Sequence, residues 1–152
     1  MTDSPAALDD QDLMNALFDL VIPPSASPDM PGAGALDLSP TVATALQADQ
    51  LLGPLVEAGV QALREAALAE LPQGLPGMTP QAGAKVVEAQ LTASHPLLIM
   101  GLSRYLYPAY YAHPRVLESI GEPPRPPFPE GFDVDATAPE LLEKLQARRI
   151  SR

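Results

Sequence analysis

Prolines limit the length of every helix that this chain can form. A proline fixes its own φ, lacks an N–H and disfavours helix in the residue before it, so it occupies the first turn of a helix or ends one. Nineteen of the 152 residues are proline. Several follow a Ser, Thr or His ahead of an Ala/Leu-rich segment, and others occur in pairs. The prolines should therefore mark the starts, ends and kinks of the helices in this chain.

The first helix precedes the proline pair at residues 23–24. Leu13, Leu17 and Leu20 recur at helical spacing behind an acidic first turn, which complements the helix dipole. The proline pair ends this helix. The next segment, residues 23–38, is rich in Pro, Gly and Ser and has neither a helical nor a strand period, which predicts a loop.

Later helices have similar start and stop signals. Ser and Thr are favourable N-cap residues, and Pro is favoured at the first helical position. A Gly after the last turn is a common C-terminal cap. The predicted helices run from Ser39-Pro40 to Leu71 with a kink or split at Gly53-Pro54, from Thr79-Pro80 to about Thr92, from His95-Pro96 to Tyr107 with a break or bend at Pro108, and from Pro114 to Ser119 with a cap at Gly121.

These segments together predict the fold class. No stretch alternates polar and β-branched residues as a half-buried strand would, and no repeat of 20 to 50 residues is present. We expect an all-α protein, an irregular small helical bundle with long Pro-rich loops, in a single domain over residues 1–152. An acidic tail should cover about residues 1–8 and an extended C-terminal strap about residues 122–136. A last short helix is predicted over about residues 139–149, where Thr137 and Glu140 form a capping box.

Charge excludes several kinds of partner. The net charge is −10, and no Lys or Arg occurs before Arg64, whereas four of the nine basic residues lie between Lys144 and Arg152. An acidic surface repels phosphate, so neither nucleic acid nor anionic lipid is an expected ligand. The apolar run from Leu97 to Leu102 is far shorter than the roughly 20 residues that a membrane span requires, so no direct membrane insertion is expected.

The N-terminal residues predict where the protein acts. They include no positive segment, no twin arginine and no uninterrupted apolar run, so we expect a cytoplasmic protein that is periplasmic only if a partner carries it. The chain has no Cys, which excludes disulfides, thiolate zinc sites, iron–sulfur clusters and Cys nucleophiles.

A search for chemistry predicts no catalytic, cofactor-binding or metal-binding residue. Gly32-Ala33-Gly34 lacks the strand and the third glycine of a dinucleotide loop. Ser103 lies two residues after Gly101, as in a nucleophile elbow, but the final glycine of that motif is missing and the segment has a helical pattern. His95 and His113 each precede a proline at a predicted helix start, where local hydrogen bonding is the ordinary role.

Aromatic residues are concentrated near the C-terminal third. All four tyrosines lie between Tyr105 and Tyr111, and five of the nine residues from Glu122 to Glu130 are proline. Tyrosines combine an apolar body with a polar tip and are frequent at interfaces, which favours a docking surface. The alternative is that the rings are core covered by the strap. The candidate anchors are Tyr107, Tyr110, Tyr111, Pro126, Pro127, Phe128, Pro129 and Phe132.

Two segments, Leu17 to Pro40 and Tyr110 to Phe132, resemble the gluconate 2-dehydrogenase subunit 3 family. The first contains the turn Ile22-Pro23-Pro24, followed by a Pro/Gly/Ala loop over residues 31–38. The second contains a tyrosine pair, a short helix, a glycine and an aromatic-proline turn: Tyr110-Tyr111, Pro114-Arg115-Val116, Gly121 and Phe128-Pro129-Glu130-Gly131.

The resemblance implies a noncatalytic small subunit that binds and stabilises a large flavoprotein dehydrogenase of the glucose–methanol–choline class. The large subunit would bind FAD and oxidise a sugar, sugar derivative or other alcohol, and some complexes of this kind include a cytochrome. Many relatives carry a twin-arginine signal, which this chain lacks.

Two other functions stay open at the level of sequence. One is a stand-alone helical adaptor or chaperone that docks another partner through its Tyr/Pro-rich region. The other is an enzyme that uses His95 or His113 as a base.

Overall fold

The computed structural model describes residues 6–26 and 29–124. Within these ranges, helices dominate and two very short strands form a hairpin, which confirms the all-α prediction. The C-terminal part of the predicted strap and the last predicted helix lie outside the described residues. The elements are α1 (Gln11–Val21), β1 (Ser25–Ala26), β2 (Asp29–Met30), α2 (Ser39–Ala48), α3 (Leu52–Glu70), α4 (Pro80–Ala93), α5 (Leu98–Tyr111) and α6 (Pro114–Ser119), with 3-10 turns at Ala7–Asp9, Ala33–Leu36 and Leu75–Gly77.

Helix α1 begins as the sequence predicts. The Asp10 carboxylate caps it by accepting a hydrogen bond of 3.1 Å from the Leu13 N–H. The first turn before it differs from the expected tail over residues 1–8, because Ala7 and Leu8 are buried in the core. The Ala7 N–H donates to the Glu57 carboxylate of α3 at 2.7 Å, which ties this turn to the bundle.

The loop over residues 23–38 has more local structure than its sequence suggests. Strands β1 and β2 pair antiparallel, although no strand period predicts them. The Asp19 carboxylate of α1 accepts a hydrogen bond of 2.8 Å from the Gly34 N–H, and Asp37 adopts a left-handed conformation with φ of 51°. These contacts fold the loop back onto α1.

The predicted split between α2 and α3 is confirmed, but it lies slightly earlier than Gly53-Pro54. The Asp49 carboxylate accepts hydrogen bonds from the N–H groups of Leu51 and Leu52, at 2.8 and 2.9 Å, and so starts α3. The N-cap prediction for Ser39 is wrong. Ser39 is buried, and its hydroxyl donates to the Asn15 side chain, because a buried hydroxyl needs a partner.

The sequence predicts a break or a bend at Pro108, and helix α5 does not break there. It continues for one more turn to Tyr111. Pro108 and Arg104 both lie on the exposed side of the helix. Because proline has no N–H, residue 108 cannot donate the helical hydrogen bond to the Arg104 carbonyl. Water can satisfy that carbonyl, so the break is unnecessary.

Helix α6 follows the predicted start and stop signals. The His113 Nδ1 atom accepts a hydrogen bond of 3.3 Å from the Arg115 N–H at its start. Gly121 ends the helix with a φ of 80°. Its N–H donates to the Glu118 carbonyl, and the Glu122 N–H donates to the Leu117 carbonyl. This pair of bonds is a Schellman motif, which requires the left-handed conformation that glycine adopts readily.

Helix α3 lies at the centre of the bundle and packs against α2, α4 and α5. Helices α3 and α5 approach closely where Gly101 faces Val56: a Cβ on Gly101 would lie 2.6 Å from the Val56 Cγ2 atom. The core on both sides consists mainly of Leu, Val and Ala, with Phe18 and Tyr110 as its largest rings. Among the described residues, every helix is too short or too polar to cross a membrane.

Candidate functional site

Helix α5 has one buried face and one exposed face. Its buried residues face α2 and α3, and they are Leu98, Gly101, Leu102, Leu106 and Tyr110. Exposed residues on the solvent side include Pro108 and five residues that follow one another at alternating intervals of three and four. We call these five the α5 stripe; they are Leu97, which directly precedes the helix, Met100, Arg104, Tyr107 and Tyr111.

The α5 stripe is unusually apolar for a helix face in contact with solvent. The exposed fraction is 62% for Met100, 44% for Tyr107, 52% for Tyr111 and 39% for Leu97. Single exposed apolar residues are common, but a row of them along one helix is typical of an interaction surface. Met, Tyr and Arg are also the residue types that interfaces favour. The stripe is therefore our candidate docking surface.

Tyr110 is not part of that surface, although the sequence suggested it as an anchor. Its ring is 1% exposed, and its hydroxyl donates to the Pro31 carbonyl at 2.7 Å. Burial raises the pKa of its phenol. Its ring packs edge-on against the exposed ring of Tyr111, with 5.1 Å between the centroids. Tyr110 thus joins the core to the loop before the second 3-10 turn, and a partner cannot reach it.

Tyr105 joins α5 to the connection between α2 and α3. Its hydroxyl donates to the Asp49 Oδ2 atom at 2.5 Å. This hydrogen bond raises the pKa of the Tyr105 phenol, and it is also the main cause that lowers the pKa of the Asp49 carboxyl. Because Asp49 also caps the start of α3, one carboxylate fixes two elements that position the α5 stripe.

The structure divides the sequence-predicted anchors into three groups. Tyr107 and Tyr111 lie on the stripe, whereas Tyr110 is core. The remaining anchors lie outside the described residues; they are Pro126, Pro127, Phe128, Pro129 and Phe132. Sequence reasoning missed Leu97, Met100 and Arg104. Counting back from Tyr111 in steps of four and three reaches all of them, so helical spacing could have found them.

The described residues outside the stripe contain little that suggests chemistry. No group of three or more His, Cys, Asp and Glu in residues 6–26 and 29–124 could hold a metal ion. His113 caps α6, as the local hydrogen-bonding role requires. An open cavity of about 440 Å³ lies beside the first 3-10 turn and is lined by Leu8, Leu46, Gln47, Asp49, Gln50, Gly53, Pro54 and Glu57.

A second open cavity, of about 260 Å³, lies between the start of α1 and the end of α3. Its lining combines Asp10 and Asp12 with Arg64 and Leu68. Neither cavity brings together a nucleophile, a base and a group that could orient it, which is the arrangement that covalent catalysis uses. The stripe remains the best-supported site.

Comparisons of this chain with protein-family models, with curated proteins and with solved structures found no match.

Proposed function

We propose that this chain is a noncatalytic small subunit that binds and stabilises a large FAD-dependent oxidoreductase subunit. The large subunit would oxidise a sugar, sugar derivative or other alcohol, and FAD would belong to it alone. The α5 stripe is the observation that supports the binding role, because it exposes four large apolar side chains along one helix. The resemblance of residues 17–40 and 110–132 to the small subunits of such enzymes supports the choice of partner.

The described residues after the stripe lead towards the predicted strap. The stripe ends at Tyr111, and α6, which packs against α5, follows directly and ends at Gly121. Ile120, the residue between α6 and Gly121, is also exposed. A partner seated on the stripe would therefore lie near Gly121, which precedes the predicted strap. Phe128 and its flanking prolines stay predicted anchors outside the described residues.

The compartment follows from the same proposal. We propose that the complex acts in the cytoplasm and that it is exported only if a partner carries it. A cytochrome could join the complex as a third subunit.

Co-expression with the protein encoded by the neighbouring open reading frame tests the proposal. We expect the two chains to purify together with flavin absorbance. Ending the chain after Gly121 should remove the flavoprotein from the preparation, and Met100→Glu should weaken the association because it places a charge in the stripe.

Leu68→Glu is the matched control, because Leu68 is an exposed leucine on α3 outside the stripe. It should leave co-purification unchanged. If the chain ended after Gly121 still brought down the flavoprotein with full flavin content, the docking role of the strap would be refuted. If the full chain captured no flavoprotein at all, a helical adaptor for another partner would replace the proposed function.

A further inference from the structure

We infer that the α5 stripe receives an amphipathic α-helix of the partner, with a carboxylate facing Arg104. The inference deepens the proposed function and rests on it for the partner's identity, since it names the structural element that the large subunit would contribute. Its geometry can be tested without that subunit.

The spacing of the stripe points to a helix. Its residues follow one another at intervals of three, four, three and four, which is the pattern of a seam between two packed helices. From Leu97 to Tyr111 the stripe is about 21 Å long at 1.5 Å per residue, so it matches about four helical turns. A β-strand, whose side chains repeat every second residue, would match only part of it.

The charge of Arg104 defines what the partner helix must carry. Arg104 lies at the centre of the stripe, with two apolar residues on either side. A guanidinium that loses water in an interface needs a counter-charge and hydrogen-bond acceptors. The nearby Asp49 carboxylate attracts Arg104 electrostatically, which helps to lower the pKa of Asp49, but its oxygens accept their hydrogen bonds from Tyr105 and from two backbone N–H groups.

Arg104 lies close enough to the Tyr105 hydroxyl to oppose the rise of its pKa, but a guanidinium has five N–H donors. Donors therefore remain for a carboxylate that arrives from outside. A Glu or Asp at the central seam position of the partner helix would meet them, with apolar side chains on its preceding and following turns.

A second copy of this chain is a poor occupant. If two α5 stripes paired in register, parallel or antiparallel, Arg104 would face Arg104 because it is the central residue in both arrangements. Each chain also carries a net charge of −10, so two copies repel each other. These two arguments disfavour a second copy, and we assign the stripe to a different protein.

Two synthetic amphipathic helices of about 20 residues test the inference. Both carry Leu at the seam positions; one has Glu and the other Lys at the central position. The full-length chain should bind the Glu peptide about tenfold more tightly than the Lys peptide, as expected for a desolvated charge pair. Arg104→Glu should reverse the preference, and Met100→Glu should weaken both peptides, whereas Leu68→Glu should change neither.

Several outcomes would overturn the inference. One is that neither peptide binds, and another is that their ranking ignores residue 104. Binding that appears only after the chain is ended at Ala136 would assign the stripe to the chain's own predicted last helix. A wild-type dimer that Met100→Glu converts to a monomer would assign it to a second copy.

The result separates this inference from the proposed function. Peptides that follow the charge rule while no flavoprotein co-purifies would uphold the helix-binding stripe and reject the flavoprotein partner. If a flavoprotein co-purifies equally well with the wild-type chain and with Arg104→Glu, the flavoprotein partner would be upheld and the charge-dependent helix contact at the stripe would be rejected.

Discussion

The tyrosines of α5 show how one residue type takes different roles within seven positions. Tyr105 and Tyr110 use their hydroxyls to hold α5 against other elements, whereas Tyr107 and Tyr111 expose their rings on the opposite side. Tyr107 and Tyr111 are four residues apart and share the exposed face. Tyr105 and Tyr110 lie where the connection at Asp49 and the loop at Pro31 reach the helix. Each hydroxyl that reaches another element gives a stability prediction that an exposed tyrosine does not.

Tyr110→Phe should destabilise the protein by about 1–2 kcal/mol. The substitution keeps the buried ring but removes the donor to the Pro31 carbonyl, leaving that carbonyl without this partner. Urea unfolding followed by circular dichroism measures the change in the free energy of unfolding. Tyr111→Phe is the control, because that side chain is exposed and should have almost no effect. Equal effects for the two variants would contradict the role given to Tyr110.

The Tyr105–Asp49 hydrogen bond should be visible in pH titrations. The lowered pKa of Asp49 means that its contribution to stability is present above its unfolded pKa and is lost as the pH falls through the folded pKa. The raised pKa of Tyr105 has the opposite sense: its contribution is present below its unfolded pKa and is lost as the pH rises through the folded one.

Asp49→Asn should therefore move the Tyr105 pKa down towards its ordinary value, because it removes the carboxylate that holds the phenol proton. The difference in tyrosinate absorbance between each protein and its Tyr105→Phe counterpart isolates this titration. An unchanged Tyr105 pKa in Asp49→Asn would show that the hydrogen bond is absent in solution.

Helices α3 and α5 form the element pair that positions the stripe. Their close approach depends on Gly101, since a methyl group there would collide with Val56. A glycine inside a helix usually lowers its stability by about 1 kcal/mol relative to alanine, so its presence here is a packing requirement. The gain is a short distance between the two helices, which fixes the direction of the exposed face.

Gly101→Ala should destabilise the protein although alanine is the better helix former. Overpacking of this kind costs about 1–3 kcal/mol, and the gain in helix propensity offsets only part of it. Val56→Ala in the same chain should relieve the collision, so the double variant should be more stable than the sum of the single effects by about 1 kcal/mol. Thermal unfolding of the wild type, the two single variants and the double variant measures this coupling. If the two single effects simply add, Gly101 and Val56 are not in contact.

The whole molecule combines a small apolar bundle with an acidic surface. The net charge of −10 favours solubility and disfavours self-association, while the α5 stripe is suited to a partner of different sequence. These two properties suit a subunit that stays dissolved until it binds its partner. They also allow the isolated chain to be assayed for activity apart from the complex.

The purified chain alone should be colourless and should not oxidise sugars with an artificial electron acceptor. We expect this because the proposal places both FAD and the catalytic groups in the large subunit. Absorbance at flavin wavelengths and an acceptor-linked assay check it, with the co-expressed complex as the positive control. A yellow and active preparation of the isolated chain would reject a noncatalytic role, and His95→Ala and His113→Ala would then identify the base.

Local sequence signals predicted the helices of this protein well where the cause is local. Asp10, Thr79 and Gly121 act within one turn of their own positions, so their caps can be predicted without knowledge of the rest of the chain. The proline pair at residues 23–24 likewise ends α1 through its own covalent geometry. Helical class and most helix starts follow from such short-range effects.

Long-range packing set the features that sequence reasoning missed. Ser39 turns to Asn15 and Tyr110 to Pro31 because distant elements bring those partners within reach of buried hydroxyls. Pro108 stays inside α5 because solvent covers that side of the helix. The same packing selects which tyrosines remain on the surface, since burial depends on the neighbours that the fold supplies. The spacing of the stripe residues is thus determined by the sequence, whereas their exposure is determined by how the other helices pack against α5.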